Sequence, residues 1–206
     1  MLRMFCMSME AGGLSIHEHE LLDTLKYVHK ATTDLIKPPV VGGGLAVAAH
    51  VESLFRDFPN VDYIAHDRHV NYMSEILQDI GLELTKDDDG NYHAEKGSLK
   101  VDMWVLYPYR TDSEDEHVLF TTRYHNPGAP VPFEHFHGTP VTLNGVKFEA
   151  LNVNALVVSK MSVKSGEDDK QAKLERERDM GDIIKLVEAG KVDEETLRIM
   201  SMYAKF

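Results

Sequence analysis

Residues 40–50 read VVGGGLAVAAH. A β-branched pair, Val40 and Val41, meets three glycines, and the chain resumes as a small-residue helical run from Leu45 to Ala49. Adjacent glycines cost backbone entropy, so the joint needs something a side chain would prevent. Two readings stand. In one, the chain turns too tightly for a Cβ and helix and strand touch closely. In the other, a ligand approaches the bare backbone, and strand, glycine turn and helix N-terminus cradle an anion. The stretch lacks the lysine and Ser/Thr of a P-loop, and it is not a dinucleotide fingerprint.

Working outward, Leu21, Leu22, Leu25, Val28, Leu35 and Ile36 predict a helix over 17–37, stopped by Pro38 and Pro39. The small-residue helix is expected to reach about Phe55. A strand follows over 60–65, then an amphipathic helix carrying Val70, Met73, Ile76, Leu77 and Ile80, closed by Gly81. Leu82 and Leu84 begin a strand that turns at Asp87-Asp88-Asp89-Gly90. Residues 100–107, KVDMWVLY, carry the strongest strand signal. Residues 118–150 read as irregular and β-rich, with a hairpin at Asn144-Gly145. A short helix over 151–162 and helices over 171–189 and 193–204 complete the chain, the last with Asp193 as N-cap. This order predicts an α/β (α+β) fold, a mixed sheet flanked by helices with further helices at the C-terminus. The expected division is an extension over 1–16, an α/β core over 17–162 and a helical segment over 163–206 packed on that core.

Net charge is −12, which argues against an extended DNA-binding face. The lone cysteine, Cys6, excludes an internal disulfide and a cysteine-rich zinc site, and fits a reducing, cytoplasmic setting. No apolar run is long enough to cross a bilayer. MLRMFCMSMEAGG is too short and broken for a convincing signal sequence, and Met7 and Met9 leave open a later translation start.

The acidic residues sharpen the glycine turn. Asn60 and Asp62 occupy positions i and i+2 of one strand and so share a face. Asp102 lies among apolar residues in KVDMW, where a carboxylate is costly without a cation or partner. Taken singly, each acid is a strand-end or capped residue. Taken with the turn, they describe a phosphate site with bound Mg²⁺, an ion that uses one or two carboxylates plus substrate phosphates.

These residues, in this order, resemble the nucleotidyltransferase fold of the polymerase-β type, in particular its AbiEii-like and minimal groups. Gly43-Gly44-Leu45-Ala46-Val47 matches the family's first motif. Arg56-Asp57-Phe58-Pro59-Asn60-Val61-Asp62 takes the place of the second, and Asp102 that of the third aspartate. Lys160 and the run Arg176-Glu177-Arg178-Asp179-Met180-Gly181-Asp182-Ile183 resemble the lysine and charged helix found further on. The likeness spans about residues 38–190. It departs at Asn60, which replaces the usual first aspartate, at Phe58, which replaces Thr/Ser, and in a longer spacing from the glycines to Arg56.

The resemblance implies that Gly42, Gly43 and Gly44 hold the triphosphate of a nucleoside triphosphate. It implies Asp62 as a Mg²⁺ ligand, Asp102 as a ligand of the second metal or a base on the acceptor hydroxyl, and Asn60 as a weak or failed ligand. Lys160 and Arg178 would face phosphates or acceptor. A solvated, salt-bridged face is the alternative for Arg176, Arg178, Asp179 and Asp182, as a surface charge is for Arg56. The implied activity is nucleotidyl transfer to a small molecule, protein or RNA. The alternative is a catalytically degraded fold that binds a nucleotide or a partner protein, as in a toxin–antitoxin or defence module. No membrane partner is expected.

Eleven histidines invite a metal reading. His135-Phe136-His137 sets two imidazoles on one face of a strand within the segment 133–138, and His17 and His19 flank Glu18. Without a cysteine cluster or HExxH, no dedicated zinc site is expected. His50 is read as a packing or orienting residue.

Overall fold

The computed structural model describes residues 14–88, 90–110, 116–120, 131–132, 138–161 and 170–203. Helix α1 (Ile16–Thr32) opens on a capping box in which the Glu18 amide donates to Ser15 Oγ and the Ser15 amide donates to Glu18 Oε2. Leu21, Leu22, Leu25 and Val28 form its buried face. The helix ends before residue 37. Thr32 and Thr33 hydroxyls donate back to the Val28 and His29 carbonyls, and the Leu35 amide closes a tighter turn on Thr32.

Strand β1 (Val40–Val41) leads through Gly42 into α2 (Gly43–His50). From Leu45 to His50 every residue of α2 is buried. Such a helix, apolar all round, must be a core element. It lies between the sheet and the C-terminal helices, and its alanines allow that close approach. It stops at His50 rather than near Phe55. Glu52 adopts φ 57°, its amide donates to the Ala49 carbonyl and the Ser53 amide to that of Ala48. This is a Schellman stop with a non-glycine residue in the left-handed position, so no glycine marks it.

Among the described residues nine strands form one mixed sheet. They are β1, β2 (Val61–His66), β3 (Thr85–Lys86), β4 (Tyr92–Lys96), β5 (Leu99–Arg110), β6 (Glu116–Phe120), β7 (Val131–Pro132), β8 (Gly138–Leu143) and β9 (Val146–Leu151). Seven follow the order β3-β4-β5-β2-β1-β9-β8, while β6 pairs with the far end of β5 and β7 with β6. The β2–β5 pair is parallel, with Asp62 opposite Asp102 and Ile64 opposite Trp104. Val61, Tyr63, Ala65, Val101, Met103 and Val105 fill the other face and are buried. Helix α3 (Val70–Asp79) buries Met73, Ile76 and Leu77. Leu82 is not the start of a strand. Gly81, at φ 80°, ends α3, and the Leu82 amide bonds back to the Leu77 carbonyl, so Leu82 tucks under the helix and only Thr85 and Lys86 pair. Asn144 and Gly145, both at positive φ, turn β8 into β9 as a type I′ hairpin.

The C-terminal helices are α4 (Val153–Met161), α5 (Lys170–Glu188) and α6 (Glu194–Tyr203). Asp193 caps α6 by accepting from the Thr196 amide at 2.7 Å. Helix α5 is held to α4 and to the segment between α2 and β2 by an ion network. Arg56 donates from Nε and Nη2 to the two oxygens of Asp182, both at 2.9 Å. Lys160 Nζ lies 2.7 Å from Asp179 and 2.7 Å from Asp182. The Asp182 side chain is 1% exposed and that of Lys160 7%, so the centre of the network is buried, while Arg56 and Asp179 stay partly open at its edges. Burial pulls the Asp182 carboxyl up, but Arg56 and Lys160 outweigh it and hold the group below the ordinary aspartate range. Asp179, with less compensation, is raised by burial despite Lys160. Asp182→Ala would leave Arg56 without its carboxylate partner and Lys160 with Asp179 alone, and should cost about 2–3 kcal/mol, read as a lower urea midpoint with unchanged slope. A loss typical of a surface ion pair, below about 1 kcal/mol, would refute this account of how α5 is attached.

Candidate functional site

The parallel register of β2 on β5 sets Asp62 and Asp102 side by side at the same level of the sheet. Asn60, just before β2, reaches between them. Its Nδ2 donates to Asp62 Oδ1 at 2.8 Å and to Asp102 Oδ2 at 2.6 Å. One neutral amide thus bridges two carboxylates. Burial pushes the Asp62 carboxyl up to about 6, and the neighbouring Asp102 adds to the shift. Lys160 and hydrogen bonds from Trp104 and Asn60 oppose it.

The glycine turn lies directly against this pair. The Gly42 amide donates to the Asp62 carbonyl at 2.8 Å. Gly43 has φ +58°, and a Cβ there would stand 1.9 Å from Asp62 Oδ2. A Cβ on Gly44 would stand 2.1 Å from Arg56 Nη2 and 3.2 Å from Phe58 Cδ1. Gly43, at positive φ and against a carboxylate, is therefore required by the protein itself, and a side chain at Gly44 would have to displace the Arg56 guanidinium. No side chain caps α2. The amides of Gly43, Gly44 and Leu45 belong to its first turn, where no intrahelical carbonyl can reach them. The turn thus serves close packing and also presents donors beside Asp62.

The basic residues fall elsewhere. Lys160 lies in the ion network with Asp179 and Asp182, near enough to Asp62 to favour its charged form. Arg56 stacks on Phe58 at 4.5 Å and pairs with Asp182. Arg178 is exposed and lines a groove of about 360 Å³ with Phe55, Leu174, Glu177 and Lys185, on the outer side of the Arg56–Asp182 pair. His50 is buried and its Nε2 donates to the Leu151 carbonyl at 2.8 Å, an orienting contact between α2 and β9. His17 Nε2 donates to the Phe58 carbonyl at 2.7 Å, fixing the approach to Asn60. His135 and His137 lie outside the described residues.

Two further residues join the site without having been singled out in the sequence. His93 on β4 stands opposite Asp102 in the antiparallel β4–β5 hairpin. Its Nδ1 is hydrogen-bonded to Asp102 Oδ1 and its Nε2 to Asp87 Oδ2 at 2.8 Å, and both nitrogens donate together only when the ring is an imidazolium. The His93 contact, with help from Asn91, holds the Asp87 carboxyl down at about 2. The signal was present in Lys96-Gly97-Ser98-Leu99. A two-residue Gly-Ser loop pairs Lys96 with Leu99, and counting back along both strands places 93 opposite 102.

The carboxylate oxygens of Asp62 and Asp102 suit a hard cation such as Mg²⁺, whereas Asn60 turns its Nδ2, a donor, toward them. Among the described residues no three His, Cys, Asp or Glu side chains are grouped to hold a metal. A cation here would therefore share two carboxylates and take its remaining oxygens from ligand and water.

The mixed sheet and its flanking helices give the chain the nucleotidyltransferase fold. Solved structures place the likeness over almost its whole length. The solution structure of the antibiotic-resistance factor ANT(2'')-Ia is 13% identical, covers 92% of this chain and 94% of its own, and has a TM-score of 0.56. The crystal structure of ANT(2'')-Ia with adenylyl-2''-tobramycin is 13% identical, with coverage of 89% and 97% and a TM-score of 0.54. No family model and no curated protein sequence matches the chain.

The Asp62 shift has a sign that can be measured. Below pH 3.8, the ordinary aspartate value, the group is protonated folded and unfolded and contributes nothing. Above about 6 the folded state holds a buried charge, at a cost on the order of 3 kcal/mol. Asp62→Asn keeps an acceptor for Asn60 and should be more stable than the natural chain at neutral pH. The advantage should shrink as the pH falls to about 4. Urea unfolding across that range checks this, and a difference independent of pH would contradict it.

Proposed function

We propose that this protein binds a nucleoside triphosphate with Mg²⁺ and transfers its nucleotidyl group to a hydroxyl of a small molecule, protein or RNA. The observation that carries the proposal is the convergence of Asp62 and Asp102 on one amide beside uncapped first-turn amides of α2. In this reading the amides of the Gly42–Gly44 turn receive the phosphates. Asp62 and Asp102 would hold Mg²⁺, whose chemistry there would be to offset charge on the phosphates. Asp102, on the open side of the sheet with His93, accepts the proton of the acceptor hydroxyl. The acceptor oxygen bonds to the α-phosphorus, the bond from that phosphorus to the bridging oxygen breaks, and pyrophosphate leaves. Lys160 biases the pocket toward anions from within the ion network, whereas Arg178, in the separate groove, has no part in this reading. The ordered motifs of the AbiEii-like and minimal groups support this reading. So does the likeness to ANT(2'')-Ia, whose structure contains an adenylylated product. The chain's single cysteine suits a reducing, cytoplasmic setting. No helix among the described residues is long and apolar enough to cross a membrane.

One observation favours a second reading. The Asn60 amide occupies the space between the two carboxylates where a cation would serve, and it does so without charge. A fold degraded in this way would bind a nucleotide or a partner protein, as in a toxin–antitoxin or defence module, without turnover.

A single substitution separates the two. Asn60→Asp removes both bridging donors and gathers three carboxylates, so without metal it should destabilise the fold by about 2–4 kcal/mol. If the site holds Mg²⁺, millimolar Mg²⁺ should restore the melting temperature, and Mg²⁺-dependent binding of ATP or GTP should strengthen in calorimetry. A loss that Mg²⁺ leaves untouched would favour the metal-free binder. No change in either condition would place Asn60 outside the site. Gly44→Val is a poorer probe, because its side chain would strike Arg56 before any phosphate arrived.

A further inference from the structure

We propose that His93 is a positioning residue for Asp102, with Asp87 fixing the imidazole from behind. This rests on the function proposed above, in which Asp102 receives the acceptor's proton and shares Mg²⁺. A carboxylate on a strand can rotate about its last torsion, and only some orientations point it at a given ligand. At Asp102 that rotation is removed. His93 Nδ1 donates to Oδ1 from β4 on one side, and Asn60 Nδ2 donates to Oδ2 from the β2 side at 2.6 Å. The imidazole is itself held at both ends, because its Nε2 is hydrogen-bonded to Asp87 Oδ2 at 2.8 Å. Asp87 in turn accepts from the Asn91 amide at 2.8 Å and from the Asn91 side chain at 3.3 Å. The result is one hydrogen-bonded chain, Asn91–Asp87–His93–Asp102–Asn60–Asp62, running from the turn before β4 to the glycine turn.

The sheet alone does not need this chain. Tyr92 opposite Met103 and Ala94 opposite Val101 already pair β4 with β5 on either side of the contact. His93 and Asp102 are 22% and 23% exposed, so they lie at an opening and not in the core. A polar chain aimed at an accessible carboxylate is the arrangement that orients ligand-binding groups elsewhere, where loss of the outer partner costs about 10- to 100-fold in metal affinity or activity.

The test uses the full chain, ATP and GTP, their α,β-methylene analogues, and Mg²⁺. His93→Leu removes the donor. His93→Asn keeps a donor near the position of Nδ1. For His93→Leu we expect a fall of about 10- to 100-fold in Mg²⁺-dependent analogue affinity and in turnover, with Mg²⁺-free affinity unchanged. His93→Asn should recover most of it. A histidine that served only the fold would lower the melting temperature in both variants and leave the Mg²⁺ dependence alone. That result, or wild-type Mg²⁺ dependence in His93→Leu, would overturn the role of His93 while leaving the functional reading intact. Absence of Mg²⁺-dependent binding to the unsubstituted chain would overturn the functional reading and this role together.

Discussion

Two carboxylates stand abreast on parallel strands, and the structure around them is arranged to make that tolerable. Asp62 and Asp102 share a register on β2 and β5, facing the same side of the sheet. Like charges at that separation repel, and burial adds to the cost. The Asn60 amide answers the repulsion directly, by donating to both. The remaining field comes from Lys160 and from the donors on Trp104 and His93. Little around the pair is interchangeable. The turn beside it must be glycine because an oxygen of Asp62 fills the space a Cβ would need.

The C-terminal helices depend on a second, linked constraint. Asp182 on α5 takes both forks of Arg56 and shares Lys160 with Asp179. Arg56 also leans on Phe58 and occupies the space above Gly44. One guanidinium thus joins the glycine turn, the segment leading into β2 and helix α5. Helix attachment and site geometry are coupled through that residue. A buried network of this kind adds little stability over an apolar contact, but it fixes which partners meet.

Much of the architecture was readable in one dimension. The parallel β2–β5 core shows as VDYIA and KVDMW, the α2 core helix as a run of alanine and valine, and the β8–β9 turn as Asn-Gly. Errors fell where ends are set by backbone hydrogen bonds and not by residue type. Helix α2 ends in a left-handed Glu52, which carries no glycine signal. Leu82 resembled the first residue of a strand because an apolar residue after a Schellman glycine looks the same in sequence whether it pairs or tucks under the helix. The threonine back-bonds that end α1 compete with helix locally, and periodicity does not register them.

What the sequence determined by itself was the list of candidate groups and their order: a glycine turn, Asn60 with Asp62 on one face, Asp102 in an apolar strand, and Lys160 before a charged helix. Period-two geometry fixes which side of its strand each strand residue occupies. What only the tertiary structure decided was which of those groups meet. Asp102 reaches Asp62 through the register of two strands far apart in the chain. Arg56 and Lys160 are committed to Asp182 and Asp179, more than a hundred residues beyond Arg56, and Arg178 faces a separate groove. His93 enters through a hairpin whose two-residue loop sets its partner. Side-chain partners across strands and helices depend on register and docking, which are long-range quantities, so local patterns name the players and packing assigns their contacts.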